Sequence, residues 1–264
     1  MAAPLSRSAD PSPLPTARDN WDDHWDRYEA SAQENPAQAY RRRLVFKLLE
    51  AAGPPQRLLD VGSGQGDLLA EAHRRWPAAE LAGVELSRSG IEAARAKVAD
   101  ATFVQRDLLQ AADPDPALAR WATHGVCTEV IEHVEDPVGL LVEAARFMAP
   151  ASMLVITVPG GPMSAFDRHI GHRTHYTVAS LRQVIVDAGL HPLRVMGAGY
   201  PFFNVYRRLV ILRGDRLITD VDSRAGGELP RSARVMMSGF DVAFRVNRDD
   251  TRWGTQMVAL AGVR

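Results

Sequence analysis

The sequence predicts an α/β protein built on a doubly wound, mostly parallel seven-stranded sheet, with N-terminal helices and an insertion between the last two strands. Short aliphatic runs alternate with stretches of helical periodicity over most of the 264 residues, as in repeated strand–helix units. The runs are continuously apolar, which is typical of parallel strands buried on both faces. A glycine-rich turn follows the first run, at the place where doubly wound sheets bind ligands.

Each predicted element comes from a local pattern. Five strands are predicted at Arg57–Val61, Glu80–Leu86, Ala101–Arg106, Gly125–Val130 and Ala151–Val158. The helical stretches between them are Asp67–Trp76, Ser89–Ala99 and Pro137–Met148. After a Pro-Gly-Gly-Pro turn, a helix is predicted at Thr177–Ala188, and the last two strands at His191–Gly197 and Gln256–Val263.

The same patterns divide the chain into four parts. Residues 1–20 are rich in Pro, Ser and Ala and lack an apolar run, which predicts a flexible tail and not a signal peptide. Residues 21–52 predict two helices, which either form a lid or pack on the sheet. Residues 53–160 predict a cofactor-binding core. Residues 161–264 predict a C-terminal part that contains an acceptor cap, at about 200–250, and the final strand.

Composition gives no support to several classes of protein. The chain is 46% hydrophobic and 24% charged with a formal net charge of −1, so it lacks the basic excess of most nucleic-acid-binding domains. Its one cysteine, Cys127, lies in an apolar stretch and has no internal disulfide partner, which predicts a reducing cytoplasm. No run reaches the ~18 apolar residues of a membrane span. The large excess of arginine over lysine is typical of a bacterial protein from a GC-rich genome.

The first predicted turn has the sequence LLDVGSGQGD (58–67). Gly62, Gly64 and Gly66 let the backbone approach a ligand closely and adopt positive φ. The dinucleotide fingerprint places its third glycine where this chain has Asp67. A carboxylate at a helix N-terminus repels a pyrophosphate and tolerates a cationic ligand, so a nicotinamide-dependent oxidoreductase is the disfavoured alternative.

Acidic residues follow three successive strands above this turn. Asp60 ends the first strand, Glu85 closes the second and Asp107 follows the third. A carboxylate at the second position can accept hydrogen bonds from both ribose hydroxyls, and Asp107 is placed to meet an adenine amino group. One such acid is ordinary in a solvated loop, whereas three around one glycine turn indicate a nucleoside site.

With these motifs the sequence resembles the class I S-adenosylmethionine-dependent methyltransferases, from about Arg57 to Val158 and more weakly to the C-terminus. The resemblance implies a Rossmann-like methyltransferase fold and S-adenosyl-L-methionine as cofactor. The implied cofactor-binding residues are Asp60, Gly62, Ser63, Gly64, Gly66, Glu85, Leu86, Asp107, Leu108 and Glu129. Asp60 and the glycines would line the methionine and sulfonium part, Glu85 the ribose and Asp107 the adenine.

A second pattern, EVIEHVEDP (129–137), follows the fourth strand. If this segment is helical, Glu129, Glu132 and His133 lie on one face and converge as potential ligands. The alternative is an ordinary helix start, where acids are favourable. The later segment DRHIGHRTHYT (167–177) adds His169, His172 and His175 on the same predicted rim.

The E-x-x-E-H segment followed by a later histidine resembles ubiquinone-biosynthesis O-methyltransferases and small-RNA 3′-terminal 2′-O-methyltransferases. In the RNA group such residues hold a divalent metal, which implies Glu129, Glu132, His133 and His172 as ligands for Mg, Mn, Zn or Fe. His133, His172 and His175 are the implied catalytic residues, since an acceptor hydroxyl must lose its proton. Without a metal, His133 or His175 alone would act as the base.

The predicted function is O-methylation of a small hydroxylated metabolite such as a sugar, polyketide or phenol. Methylation of RNA 3′ ends is the rival within the class, and a non-catalytic S-adenosylmethionine-binding module is the rival outside it. The segment PFFNVYRRLVILRGDRLI (201–218) mixes aromatic residues with arginines. That mixture leaves three roles open: an acceptor cap, a dimer contact, or a helix at a membrane surface.

Overall fold

The computed structural model describes residues 35–110, 113–222 and 231–264. The predicted tail at residues 1–20 and the first predicted helix after it lie outside the described residues. The second N-terminal helix is present as α1, Pro36–Ala52. Its first turn is capped by Asn35, whose side chain accepts a hydrogen bond from the Ala37 amide at 2.9 Å.

One seven-stranded sheet forms the centre of the molecule. Its strands are β1 Arg57–Val61, β2 Glu80–Glu85, β3 Thr102–Gln105, β4 Ala122–Thr128, β5 Met148–Pro159, β6 His191–Ala198 and β7 Gln256–Gly262. Their order is β3-β2-β1-β4-β5-β7-β6. β7 runs antiparallel to both neighbours and the other pairs are parallel. The predicted fold class, with its insertion between the last two strands, is confirmed.

Helices cover both faces of the sheet. They are α2 Asp67–Arg75, α3 Arg88–Lys97, α4 Pro137–Ala145, α5 Ala165–His169, α6 Val178–Asp187, α7 Phe202–Asp222 and α8 Arg231–Phe244. Buried side chains of α4 and α6 form one hydrophobic cluster with the sheet. Those of α1, α2, α3, α7 and α8 form another on the opposite face. The carboxyl ends of the parallel strands therefore lie between two packed layers, at one edge of the sheet.

Three predicted boundaries are wrong by three residues each. β4 begins at Ala122 and not at Gly125, and β5 begins at Met148 and not at Ala151. Ala122 pairs with Met148 before the register shifts, and this interrupted pairing hides the early strand residues from a periodicity argument. As a result α4 ends at Ala145, earlier than predicted.

The segment after β4 is not the predicted helix. Ile131–His133 forms a single 3-10 turn, and Glu129 precedes it with a left-handed φ of +56°. Glu129 therefore does not share a helical face with Glu132 and His133, and that prediction is wrong. A non-glycine residue in this region costs about 1–3 kcal/mol, so other contacts must hold Glu129 there.

The insertion is built from α7 and α8. α7 is broken at Gly214, where φ is 46° and ψ is −129°. Phe203 of α7 packs on Tyr40 of α1 with ring centroids 5.3 Å apart, and Tyr206 meets Phe244 of α8 at 5.8 Å. The insertion is thus anchored on the N-terminal helix. Every helix in the described part of the chain is too short or too polar to cross a bilayer.

Candidate functional site: a glycine turn beside a histidine cluster

The glycine turn, residues 62–66, connects β1 to α2 and needs glycine for two reasons. Gly62 and Gly66 have φ of +73° and +76°, which L side chains rarely adopt. A Cβ on Gly62 would lie 2.5 Å from Cγ2 of Val130, and one on Gly66 would lie 2.8 Å from Cβ of Ala94. The turn is therefore packed directly against α3 and against the segment that follows β4.

Glu85 shapes this turn from the end of β2. Its carboxylate is buried and accepts hydrogen bonds from the backbone N–H of Gly64 and of Ser87, both at 2.8 Å. A carboxylate oxygen accepts more than one hydrogen bond. Glu85 can therefore hold the turn and still accept hydrogen bonds from a ligand hydroxyl.

Asp60 lies beside Glu85 at the end of β1 and is 2% exposed. Burial and then the charge of Glu85 raise the pKa of Asp60 to about 8. Neither its Oδ1 atom nor the buried Oγ of Ser63 has a hydrogen-bond partner among the described residues. Because buried polar atoms are nearly always satisfied, this edge of the sheet is suited to a ligand that brings N–H donors and positive charge.

The other sequence-predicted cofactor residues lie along the same edge. Asp107 follows β3, where its carboxylate accepts hydrogen bonds from the Leu109 amide at 2.9 Å and from Gln110 Nε2 at 3.0 Å. Leu108 is buried and Leu86 is 44% exposed. A direct role of these residues in cofactor binding stays a prediction.

Glu132 is the most unusual carboxylate of the molecule's described part. It is fully buried, and neither of its side-chain oxygens receives a hydrogen bond from a described residue. Burial and then the charge of Glu129 raise its pKa well above the ordinary range. One potential ligand atom from each of Glu132, His133 and His172 falls within 4.8 Å of the others. The structure therefore brings together three of the four sequence-predicted metal ligands.

Glu129, the fourth predicted ligand, is not part of that group. Its Oε1 accepts hydrogen bonds from Thr157 Oγ1 at 3.0 Å and from Gln256 Nε2 at 2.8 Å. Its Oε2 lies 3.0 Å from Nε of Arg41. These contacts hold the left-handed Glu129 and tie the end of β4 to β5, β7 and α1.

Three of the predicted histidines are close to one another, and we call Glu132, His133, His172 and His175 the histidine cluster. The rings of His133 and His172 are perpendicular, with centroids 4.7 Å apart. Nδ1 of His172 lies 3.1 Å from Nε2 of His175, and Nδ1 of His175 lies 3.1 Å from the Gly161 carbonyl oxygen. His169 is exposed at the end of α5, outside this cluster.

Burial favours the neutral form of two imidazoles of the cluster, those of His172 and His175. Burial, and next the neighbouring His133, lower the pKa of His172 far below its ordinary value. Burial also lowers the pKa of His175. A neutral imidazole offers one nitrogen lone pair, which is the form that ligates a metal or accepts a proton.

Asp167 forms a second group of potential ligands with His172 and His175, but its carboxylate is already engaged. Arg207 of α7 donates to both oxygens, at 3.0 and 2.8 Å, and Ser164 donates its N–H and its Oγ–H to Oδ2. Burial acts to raise the pKa of Asp167, but the hydrogen bonds and charge of Arg207 outweigh it and hold the pKa below the usual range. Asp167 therefore holds in place the histidine loop, residues 167–177, which carries His172 and His175. It also anchors α7 to this loop.

The glycine turn and the histidine cluster meet at one edge of the sheet. Val130 contacts the Gly62 position, as described above, and lies two residues before Glu132. The buried thiol of Cys127 lies close to carboxylates of both regions. Burial, and then the charges of Glu132 and Asp60, raise the pKa of this thiol. A ligand held at the turn therefore lies next to the cluster.

Comparison with known proteins assigns the chain to a family whose members use such an arrangement of a glycine turn at the edge of a parallel sheet. Residues 34–195 match a family model described as a methyltransferase domain. The chain belongs to the class I S-adenosylmethionine-dependent methyltransferases. The match to the family model covers more than half of the chain, including the glycine turn and the whole histidine cluster.

Curated relatives support the same family. The ubiquinone biosynthesis O-methyltransferase of Psychrobacter arcticus is 30% identical over 166 residues, covering 55% of this chain and 63% of the relative. The trans-aconitate 2-methyltransferase of Mycobacterium tuberculosis is 30% identical over 143 residues, covering 52% of each chain. The chain thus spans between half and two thirds of the length of these relatives.

A solved methyltransferase shares the fold. Phosphoethanolamine N-methyltransferase 2 of Haemonchus contortus, in complex with S-adenosyl-L-methionine, aligns with a TM-score of 0.59 at 17% identity. The alignment covers 92% of this chain and 60% of the other. At this identity the comparison concerns the fold and not the acceptor.

Several residues of the site escaped the sequence argument. Arg41, Gln256 and Arg207 contact the site from elements far away in the chain, and nothing local marks them. Asp167 did carry a signal, because Ser164 and Asp167 have the spacing of a capping box, which the structure contains.

Proposed function

We propose that this methyltransferase transfers the methyl group of S-adenosylmethionine to a hydroxyl oxygen of a small-molecule acceptor, with a divalent cation held by the histidine cluster. The observation that carries the proposal is the buried Glu132 carboxylate, without a hydrogen-bond partner among the described residues, beside His133 and His172. A buried carboxylate is normally paired or bound to a metal.

The glycine turn supplies the cofactor side of the reaction. S-adenosylmethionine fits there because its ammonium and sulfonium charges compensate the Asp60 carboxylate, and because Glu85 retains acceptor capacity for ribose hydroxyls. The sulfonium is already an activated donor. The chain's task is therefore to hold the acceptor oxygen in line with the methyl group and to remove its proton.

The donor set of the cluster suits a cation. One carboxylate and two imidazoles are typical ligands of Zn, Mn or Fe, and less so of Mg, which prefers oxygen. Glu132, His133 and His172 would hold the ion. When bound, it would lower the pKa of a coordinated hydroxyl and fix that oxygen in place.

The chain's own groups complete the chemistry. Glu132 is driven towards its protonated form by burial and by Glu129, and a cation nearby favours the ionised form. His133 and His172 would use their lone pairs on the ion, and both nitrogens of His175 face protein atoms. The proton of the coordinated hydroxyl, made more acidic by the ion, would therefore pass to solvent.

Two arguments support a small acceptor. The relatives named above carry ubiquinone biosynthesis and trans-aconitate in their names. The net charge of −1 gives no general attraction to RNA phosphates. Residues 200–250 are the segment we propose as the cap that selects the acceptor, since it is anchored to the histidine loop through Arg207.

The proposal is tested by following a labelled methyl group. The protein is incubated with S-adenosylmethionine carrying a ¹³C-methyl group and with a panel of sugars, phenols, polyketides and short RNA, with Zn²⁺ or with EDTA. We expect labelled O-methyl products of a small hydroxylated molecule, formed faster with Zn²⁺ than with EDTA. Gly62→Ala is the control that should lose cofactor binding.

Three results would contradict the proposal. Label on RNA would replace the acceptor class, and label on nitrogen or carbon would overturn oxygen as the methylated atom. A protein that binds S-adenosylhomocysteine tightly but labels nothing in the panel or in a metabolite extract would be a cofactor-binding module.

A further inference from the structure

Each ring nitrogen of His175 faces a polar atom of the protein. Its Nδ1 faces the Gly161 carbonyl oxygen at 3.1 Å, and its Nε2 faces Nδ1 of His172 at 3.1 Å. The ring is nearly enclosed, with 5% of the side chain exposed. Both nitrogens are thus occupied by protein atoms, which leaves His175 no lone pair for substrate.

The Gly161 carbonyl decides where the protons lie. A carbonyl oxygen only accepts hydrogen bonds, so Nδ1 of His175 must carry a hydrogen. In the neutral ring Nε2 then has no hydrogen and must accept. Its partner, Nδ1 of His172, must therefore donate, and the one lone pair of the neutral His172 ring lies on Nε2.

We propose that His175 is a positioning residue that fixes His172 in the Nδ1–H tautomer, so that Nε2 is the nitrogen that His172 offers to the histidine cluster. This inference deepens the proposed function, on which its catalytic meaning rests. Metal-binding histidines are commonly oriented by a hydrogen bond from their other ring nitrogen.

Contacts of Asp167 fix the positions of His172 and His175. The backbone N–H of His172 donates to the Asp167 carbonyl at 2.9 Å, and Oδ2 of Asp167 lies 3.8 Å from Nε2 of His175. The two hydrogen bonds from Arg207 fix that carboxylate. The orientation of His172 is thereby connected to α7, the first helix of the proposed cap.

Two amide substitutions separate the two hydrogen bonds of His175. In His175→Gln the amide group lies near the former Nε2, where it can accept from His172. In His175→Asn it lies near the former Nδ1, where it can donate to Gly161 but cannot reach His172. The two variants are matched in chemistry and differ in reach.

The first readout is the tautomer itself. Long-range ¹H–¹⁵N spectra of ¹⁵N-histidine-labelled protein distinguish Nδ1–H from Nε2–H rings, and His172→Asn assigns the His172 signals among the eight histidines. We expect Nδ1–H for His172 in the wild type and in His175→Gln, and loss of that preference in His175→Asn. A wild-type His172 in the Nε2–H form would overturn the proposal, whatever the variants do.

The second readout is Zn²⁺ affinity by calorimetry. We expect His175→Asn to weaken Zn²⁺ binding about 10-fold or more, and His175→Gln to stay within about threefold of the wild type. Equal losses in both variants would overturn the positioning role. A wild type that has the Nδ1–H tautomer and binds no Zn²⁺ would support the positioning of His172 and overturn the metal in the proposed function.

Discussion

The glycine turn and the histidine cluster lie side by side, but they are built in different ways. At the turn, the Glu85 carboxylate receives hydrogen bonds from backbone N–H groups within 21 residues of itself. In the cluster, the Glu132 carboxylate receives none from the described residues, and the histidines around it come from two separate segments. The carboxylate that holds the turn is therefore already hydrogen-bonded by the protein, whereas the carboxylate of the cluster is not.

This difference shows which of the two carboxylates has its hydrogen bonds without a ligand. Glu85 is satisfied before any cofactor arrives, so the turn has its shape in advance. Glu132 is driven towards protonation by burial, a state that a bound cation would reverse.

The largest effect is expected at Glu132. Glu132→Gln keeps the size of the side chain and removes the charge, so we expect loss of Zn²⁺ uptake and a decrease in methyl transfer of about 100-fold or more. Metal content by mass spectrometry and initial rates measure both. Glu135→Gln is the control, because that carboxylate is 71% exposed, and it should retain both. Full Zn²⁺ occupancy in Glu132→Gln would locate the ion elsewhere.

The glycine turn offers a matched pair of substitutions. Gly62 and Gly189 have φ of +73° and +75°, but a Cβ on Gly189 meets nothing within 4 Å. Both Ala variants should lose about 1 kcal/mol of unfolding free energy from backbone strain. Gly62→Ala alone should also lose more stability through its clash with Val130, and should weaken S-adenosylhomocysteine binding about 10-fold or more. Equal affinities in calorimetry would contradict the assignment of the turn to the cofactor.

Cofactor affinity should depend on pH through Asp60. Its pKa of about 8 in the free protein means that Asp60 is mostly protonated at pH 6, and a cationic ligand favours its ionised form. Binding should therefore release a proton below pH 8, and S-adenosylmethionine affinity should rise roughly 10-fold or more from pH 6 to pH 8 and then level off. Calorimetry across this range should show a much flatter profile for Asp60→Asn. The same slope in that variant would assign the proton to another group.

The smallest effect is expected at Glu129, which the structure separates from the cluster. Glu129→Gln weakens the contact with Arg41, so we expect a loss of about 1–3 kcal/mol in unfolding free energy. Because Glu129 is not among the clustered ligand atoms, Zn²⁺ affinity should stay within about threefold of the wild type. Thr157→Val, which removes one hydroxyl hydrogen bond to Glu129 and leaves the contact with Arg41, should cost less. A variant that folds stably but loses its Zn²⁺ would restore Glu129 as a ligand.

The fold and the glycine turn could be predicted from the sequence because both leave patterns in short stretches of the chain. Buried parallel strands appear as apolar runs, and glycines at a strand–helix turn lie within five residues of one another. Sequence reasoning failed at Ala122 and Met148, where the register between the two strands shifts. It also failed at the 3-10 turn of Ile131–His133, because the spacing of side chains in the sequence does not distinguish one such turn from a longer helix.

The cluster could be predicted only in part, for a physical reason. His133, His172 and His175 stand out by residue type, but their contacts depend on partners with no local signal. Gln256 reaches Glu129 across 127 residues and Arg207 reaches Asp167 across 40. Such contacts follow from how β7 and α7 pack, which periodicity does not specify.

The central claim is that the cofactor turn and the histidine cluster serve one methyl transfer. A crystal structure of the protein with S-adenosylhomocysteine and Zn²⁺, with anomalous data at the zinc edge, tests it most directly. We predict the nucleoside over Gly62–Gly66 with Glu85 at the ribose, and one anomalous peak held by Glu132, His133 and Nε2 of His172. A bound nucleoside with no anomalous peak among these three side chains, under conditions where zinc is bound elsewhere, would contradict the claim.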